Sequence, residues 1–110
     1  MRKHKQAPKL IRQGDVLLIP CGSIPAVAVP VPRDAGRVVL AYGEVTGHAH
    51  ALLEPGVELL TAADVRYLRV DEVSAHLLHE EHSELAIPAG TYEVRIQREY
   101  SPLETRQVRD

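Results

Sequence analysis

The sequence predicts an all-β protein, a small single-domain antiparallel barrel or sandwich. Short apolar runs recur along the chain between groups of turn-forming residues, which is typical of strands joined by tight turns. The apolar content is aliphatic, because the chain has no Phe, no Trp, one Met and four Tyr, and valine-rich sequences favour strands. A length of 110 residues allows one domain with its own core.

The first half of the chain contains three predicted strands. Residues 14–20 form an apolar run bounded by turn residues, as expected for a strand buried on both faces. Prolines within residues 22–36 remove backbone donors, so this stretch is predicted to be an extended loop or edge segment. Strands are then predicted at 37–42 and 48–53, and residues 43–47 form the turn between them.

The second half begins with a strong turn signal, Glu54-Pro55-Gly56-Val57, in which Pro before Gly suits type II geometry. Alternation of Tyr92, Val94 and Ile96 with polar residues predicts a last strand that lines a core on one side. Pro88-Ala89-Gly90 is predicted to separate this strand from the one before it. The strands predicted here are 58–60, 65–70, 74–79, 84–87 and 91–100.

The predicted domain organisation has three parts. Residues 1–12 carry five basic residues and no acidic ones, and they are interpreted as a solvated basic arm. Residues 13–100 form the β domain. Residues 101–110 form a short C-terminal helix or tail, because Ser101-Pro102-Leu103-Glu104 has the pattern of a capping box.

Charge and cysteine content narrow the classes of function. A net charge of −2 argues against a nucleic-acid-binding surface, except through the basic arm. Cys21 is the only cysteine, so no intrachain disulfide forms, and its position beside Gly22 is typical of a strand end more than of a catalytic thiol. No apolar run is long enough for a membrane helix. We therefore expect a cytoplasmic protein.

Four histidines in two clusters predict a metal site. His48 and His50 would project from the same face of a strand, because side chains at i and i+2 share a face. His79 and His82 fit a strand end that enters a tight polar loop. Imidazole ligands suit Zn, Ni, Fe(II) or Cu, and the acidic residues around the second cluster would favour a cation.

Part of this region resembles the cupin superfamily. Gly43-x4-His48-x-His50-x3-Glu54 is similar to the first cupin motif, and Pro88-x-Gly90 is similar to the core of the second. The resemblance implies a β-barrel that holds a metal among inward-facing His and Glu residues. Glu93 stands where the second motif has a histidine, so His79, His82 and Glu93 are alternatives for the fourth ligand.

A second resemblance covers more of the chain. The segments Gly-Glu-Val-Thr-Gly-His-Ala-His and Pro-Ala-Gly-Thr-Tyr-Glu-Val-Arg-Ile-Gln-Arg-Glu-Tyr are similar to those of small uncharacterised proteins from bacteria and their phages. This resemblance implies no particular activity.

Two functions therefore follow from the sequence. The first is a small metal-binding β protein, in which an enzymatic role would use Glu44, Glu54 or Glu80 to move a proton beside the metal. The alternative is a non-catalytic module in which the histidines are structural and exposed strand edges contact a protein partner. In either case the unpaired edges of a small sheet predict a homo-oligomer. The sequence does not distinguish a small-molecule ligand from a protein partner.

Overall fold

The computed structural model describes residues 9–43 and 47–97, and these residues contain eight β-strands and no helix. The strands form one antiparallel sheet that curls into a half-barrel, which confirms the predicted all-β antiparallel class. The predicted C-terminal helix and the first eight residues of the basic arm lie outside the described residues. In chain order the strands are β1 Ile11–Gln13, β2 Val16–Pro20, β3 Val29–Pro30, β4 Val38–Tyr42, β5 Ala49–Leu52, β6 Val57–Ala62, β7 Val65–His79 and β8 His82–Ile96.

Strand β7 is the centre of the sheet. On one side it pairs with β8 along most of its length. On its other side, β6 pairs with the first part of β7, and β5 pairs with the last part through Ala51 and Leu78. Outside these strands, β2 and then β1 follow β8, β4 follows β5, and β3 follows β6. This arrangement places the ends of β5, β7 and β8 next to one another.

Strands β7 and β8 are longer than the sequence predicts. The separate strands predicted at 65–70 and 74–79 are one strand, and Pro88–Gly90 does not interrupt β8. The register shifts between Val70 and Ser74 of β7, opposite Gly90 and Pro88 of β8. A bulge at this position removes the need for a backbone donor, so a proline is accommodated without ending the strand.

The core is a single aliphatic cluster with one buried tyrosine. Tyr92 is 1% exposed, and its hydroxyl donates a hydrogen bond to the Pro88 carbonyl oxygen over 2.6 Å. The alternation predicted for β8 is confirmed, since Tyr92 and Val94 are buried while Arg95 is exposed. The large side chains at less than 2% exposure are Tyr92, Leu18, Leu40, Leu52, Leu68, Leu77, Ile87, Val16 and Val70. Burial of apolar groups is the main favourable contribution to folding, at about 25 cal/mol per Å² of apolar surface.

The segment between β2 and β4 contributes an edge strand, β3, which pairs with β6 through Val29 and Thr61 and through Pro30 and Leu60. An isolated antiparallel bridge joins Asp34 and Arg37 near the end of the segment. Arg33 fixes its far end, because the guanidinium donates hydrogen bonds to four backbone carbonyls, including that of Glu54 at 2.7 Å. The turn predicted at 54–57 is present, with the Val57 N–H donating to the Glu54 carbonyl. Residues 9–43 and 47–97 contain no helix capable of crossing a membrane.

Candidate metal centre

The hairpin that joins β7 and β8 brings two histidines together. Glu80 and Glu81 form a two-residue turn, and His79 pairs directly with His82 across it. Residues paired in this way have their side chains on the same face of the sheet. The spacing of three in the sequence therefore becomes a cross-strand neighbour pair, with ring centroids 4.7 Å apart.

His50 is the third member of the cluster and comes from β5. Because Ala51 of β5 pairs with Leu78 of β7 in an antiparallel register, His50 lies opposite His79 across the two strands. Its ring centroid is 4.2 Å from that of His79 and 5.5 Å from that of His82. His50 is 7% exposed, whereas His79 is half-buried and His82 is exposed. The cluster thus extends from the interior to the surface.

One ring nitrogen from each of His50, His79 and His82 lies within 4.8 Å of the others. These three residues, called the histidine triad below, are the one group of His, Cys, Asp or Glu in residues 9–43 and 47–97 that meets this spacing. The triad opens into a cavity of about 270 Å³, which Tyr42 and Ile96 also line. The arrangement offers three nitrogen ligands on one side of a ligand-sized space.

Burial and the neighbouring imidazoles change the protonation of the inner ring. Desolvation, followed by the proximity of His79 and His82, lowers the pKa of His50 to about 4. His50 is consequently neutral at physiological pH. A neutral imidazole has a nitrogen lone pair, which is what metal coordination requires.

Gln13 of β1 is the other buried polar residue of the core, at 3% exposure. Its Oε1 lies 2.8 Å from Nδ1 of His50. Its Nε2 donates hydrogen bonds to the backbone carbonyls of Leu77 and Ser83, each over 2.9 Å. Sequence reasoning missed this residue, because one glutamine in a short strand has no local pattern that distinguishes it from a surface residue.

The turn between β1 and β2 forms another wall of the triad. Gly14 has a φ of +57° there, and a Cβ added to it would lie 2.9 Å from Nε2 of His82 and 3.1 Å from Cε1 of His50. Both the backbone angle and the approach of the two rings favour glycine at this position. The sequence pattern predicts Gly14 only as the first residue of the strand at 14–20.

His48 lines the same cavity, but it lies beside the triad and is not part of it. It precedes β5, which begins at Ala49, so strand alternation does not place it on the face of His50. Its ring centroid is 6.1 Å from that of His79, and its Nδ1 is 3.5 Å from Oε2 of Glu81. His48 and Glu81 thus form a polar pair at the cavity rim.

The carboxylates that the sequence suggested for the site do not belong to the triad. Glu80 accepts a hydrogen bond from the Ala49 N–H over 3.1 Å, and backbone hydrogen bonds lower its pKa. It therefore holds the start of β5 against the hairpin turn. Glu44 lies outside the described residues. Glu93, the alternative ligand from the cupin resemblance, forms an ion pair with Arg95 over 2.8 Å and is not near the triad.

Glu54, which the cupin resemblance implied as a ligand, belongs to a different cluster. Its Oε2 lies 2.7 Å from Nδ1 of His76 and accepts the His76 backbone N–H over 3.0 Å. His76 Nε2 is in turn 3.7 Å from Oε2 of Glu84. Since Leu53 and Glu54 follow the end of β5, the chain has turned toward His76 and away from His50. Glu54 therefore lies in the His76 cluster and outside the triad.

Fold and site together define a small curled antiparallel β protein with a histidine triad at a hairpin end. The sequence profile of the family described as Domain of unknown function (DUF8820) matches residues 12–97. The chain belongs to this family. No curated protein and no solved structure matches the chain significantly.

Proposed function

We propose that this protein binds one divalent first-row transition metal ion through His50, His79 and His82. The observation that carries the proposal is the convergence of three imidazole nitrogens from two adjoining strand ends and a neighbouring strand, all within 4.8 Å. Two nitrogens that bind the same ion tetrahedrally at about 2.0–2.1 Å are about 3.4 Å apart. Small side-chain rotations would bring the rings to that separation, and the exposed position of His82 permits them.

The three imidazole ligands also indicate which metal ions the site would bind and what a bound ion would do. Imidazole nitrogens suit Zn, Ni, Fe(II) and Cu, so we propose an ion from this group. Three protein ligands that face a cavity are typical of sites that keep a position for water or substrate. An ion held there would activate a bound water or substrate oxygen. Among the described residues, His48 and Glu81 at the rim are then better placed to move a proton than Glu54 or Glu80.

Elemental analysis of untagged protein tests the proposal. We expect about one metal ion per chain in the wild type and loss of that metal in the His79→Ala/His82→Ala double variant. His76→Ala is the matched control, because His76 lies on the same strand and outside the triad, and it should keep the metal. A metal-free wild type whose melting temperature does not change on addition of Zn, Ni or Fe(II) would overturn the proposal.

A second candidate function is a non-catalytic homo-oligomeric or partner-binding module. It is supported by the sheet edges, since β1 and β4 each pair on one side only within residues 9–43 and 47–97. Large apolar side chains are exposed near these edges, at 58% for Leu10 and 65% for Tyr42. Light scattering across a concentration series tests this candidate, which requires an assembly larger than one chain.

The lone Cys21 fits a reducing compartment, so we propose a cytoplasmic location for either function.

A further inference from the structure

Gln13 contacts every segment that carries a triad histidine. Its amide nitrogen bonds the carbonyl of Leu77, two residues before His79, and the carbonyl of Ser83, one residue after His82. Its amide oxygen is 2.8 Å from the ring of His50. One buried side chain on β1 therefore connects β5 with both strands of the β7–β8 hairpin.

The hydrogen bonds of Gln13 fix the orientation of its own amide. Backbone carbonyls only accept hydrogen bonds, so the group that lies 2.9 Å from both Leu77 and Ser83 must be the NH₂ group, which has two donors. The other end of the amide, which faces His50, is then the oxygen. An amide oxygen has no hydrogen to donate.

The orientation of the amide in turn selects the tautomer of His50. Because Oε1 of Gln13 can only accept, Nδ1 of His50 must carry the hydrogen in this contact. A neutral ring protonated at Nδ1 has its lone pair on Nε2. That tautomer leaves Nε2 as the ligand atom that the ring presents.

From this chain of contacts we infer that Gln13 is a positioning residue for the triad: it holds His50 as the Nδ1–H tautomer and anchors the hairpin that carries His79 and His82. The inference rests on the proposed function for its effect on metal affinity, whereas the tautomer itself exists without metal. Mutation of a residue that hydrogen-bonds to a metal ligand typically weakens metal affinity by about 10–100-fold.

The first test is nitrogen-15 NMR of the imidazole rings in chelator-treated, metal-free wild-type protein. We expect His50 to show a protonated Nδ1 and an unprotonated Nε2. A His50 ring protonated on Nε2 would overturn the inference, whether or not the protein binds metal. An Nδ1–H tautomer in a protein that never takes up metal would leave the inference standing and defeat the proposed function.

The second test is zinc titration of Gln13 variants. Gln13→Met removes both kinds of hydrogen bond at similar size, and we expect a mixture of His50 tautomers and zinc affinity about 10–100-fold weaker. Gln13→Glu keeps an acceptor for Nδ1–H but removes both donors to the Leu77 and Ser83 carbonyls. It should retain the tautomer and lose the anchor of the hairpin, so we expect a zinc affinity between those of the wild type and Gln13→Met. A Gln13→Met protein that is folded and binds zinc as tightly as the wild type would contradict the inference.

Thr91→Val is the matched control for a general loss of stability. Thr91 Oγ1 donates to the Cys21 carbonyl over 2.7 Å, so this variant also removes a hydrogen bond from a strand side chain to the backbone. Thr91 lies nine residues from His82 on β8, and it belongs neither to the triad nor to the lining of the cavity. We expect its melting temperature to fall while its zinc affinity and His50 tautomer stay unchanged. An equal loss of affinity in Thr91→Val and Gln13→Met would show a structural effect only and would overturn the positioning role.

Discussion

His50 and His76 lie on neighbouring strands of the same sheet, yet their surroundings are opposite. His50 is buried against two other histidines and an amide, and burial lowers its pKa to about 4. His76 is largely exposed between Glu54 and Glu84, and its hydrogen bond to Glu54 raises its pKa. Both ring nitrogens of His76 face carboxylates that favour the protonated form, which has no lone pair for a metal. A histidine becomes a candidate ligand through its neighbours, and proximity in the sequence to other histidines is not sufficient.

The largest expected difference between the two histidines is in metal affinity. His50→Ala should weaken zinc binding by more than about 100-fold, because loss of an outer hydrogen-bond partner alone costs about 10–100-fold. His76→Ala should change it by less than about 2-fold, since His76 makes no contact with the triad. Isothermal titration calorimetry on both variants measures this. Equal losses in the two variants would remove the distinction.

Gly14→Ala should crowd the triad directly. The added Cβ meets the rings of His82 and His50 at 2.9 and 3.1 Å, so we expect zinc affinity to fall by about 10-fold or more. Gly36→Ala is the matched control, because Gly36 also has a positive φ, +81°, but no neighbouring atom within 4 Å of an added Cβ. Both variants should lose about 1–3 kcal/mol of stability to backbone strain. Zinc binding that falls equally in both would show that backbone strain alone, and not crowding, weakens the site.

The opposite pKa shifts predict opposite pH dependences in metal-free protein. His50 has a folded pKa of about 4, below the value of 6.5 expected when unfolded, so the unfolded state gains a proton first as the pH falls. Between pH 6.5 and 4 the wild type should therefore lose more stability than His50→Gln. His76 has a raised folded pKa, so its contribution is present below pH 6.5 and is lost as the pH rises through that folded pKa.

Melting temperatures measured across this pH range test the direction of both pH dependences. The difference between wild type and His76→Gln should shrink on going from acidic to alkaline pH. A wild type and a His50→Gln variant with parallel pH profiles would show that His50 is not buried as a neutral ring.

Glu54→Gln should have the smallest effect. The carboxylate is half-buried, but its partner His76 is 46% exposed, and ion pairs open to solvent contribute little to stability. We expect a small decrease in melting temperature and an unchanged metal content. Loss of metal in this variant would return Glu54 to the ligand set that the cupin motif implies, and elemental analysis detects it.

The strands were largely predictable, because alternation and turn residues are local signals. The two-residue turn at Glu80 and Glu81 follows from its polarity, and it explains why His79 and His82 meet. The continuity of β8 through Pro88 was not predictable, since it depends on a bulge in the partner strand β7. Local sequence contains no information about the register of a distant strand.

The site was predictable only in part for the same reason. His50, His79 and His82 could be proposed as ligands from their residue type and spacing. The roles of Gln13 and Gly14 depend on the pairing of β2 with β8 and of β1 with β2, which the sequence does not reveal. The position of His48 depends on where β5 begins, one residue after the start predicted from the pattern.

A crystal structure of the zinc-loaded protein, with anomalous data collected at the zinc edge, would locate the ion directly. We expect one strong anomalous peak about 2.0–2.1 Å from a ring nitrogen of each of His50, His79 and His82. We expect no peak beside His76. A zinc ion bound elsewhere, or bound by His48 and Glu81 without the triad, would contradict the proposed metal site.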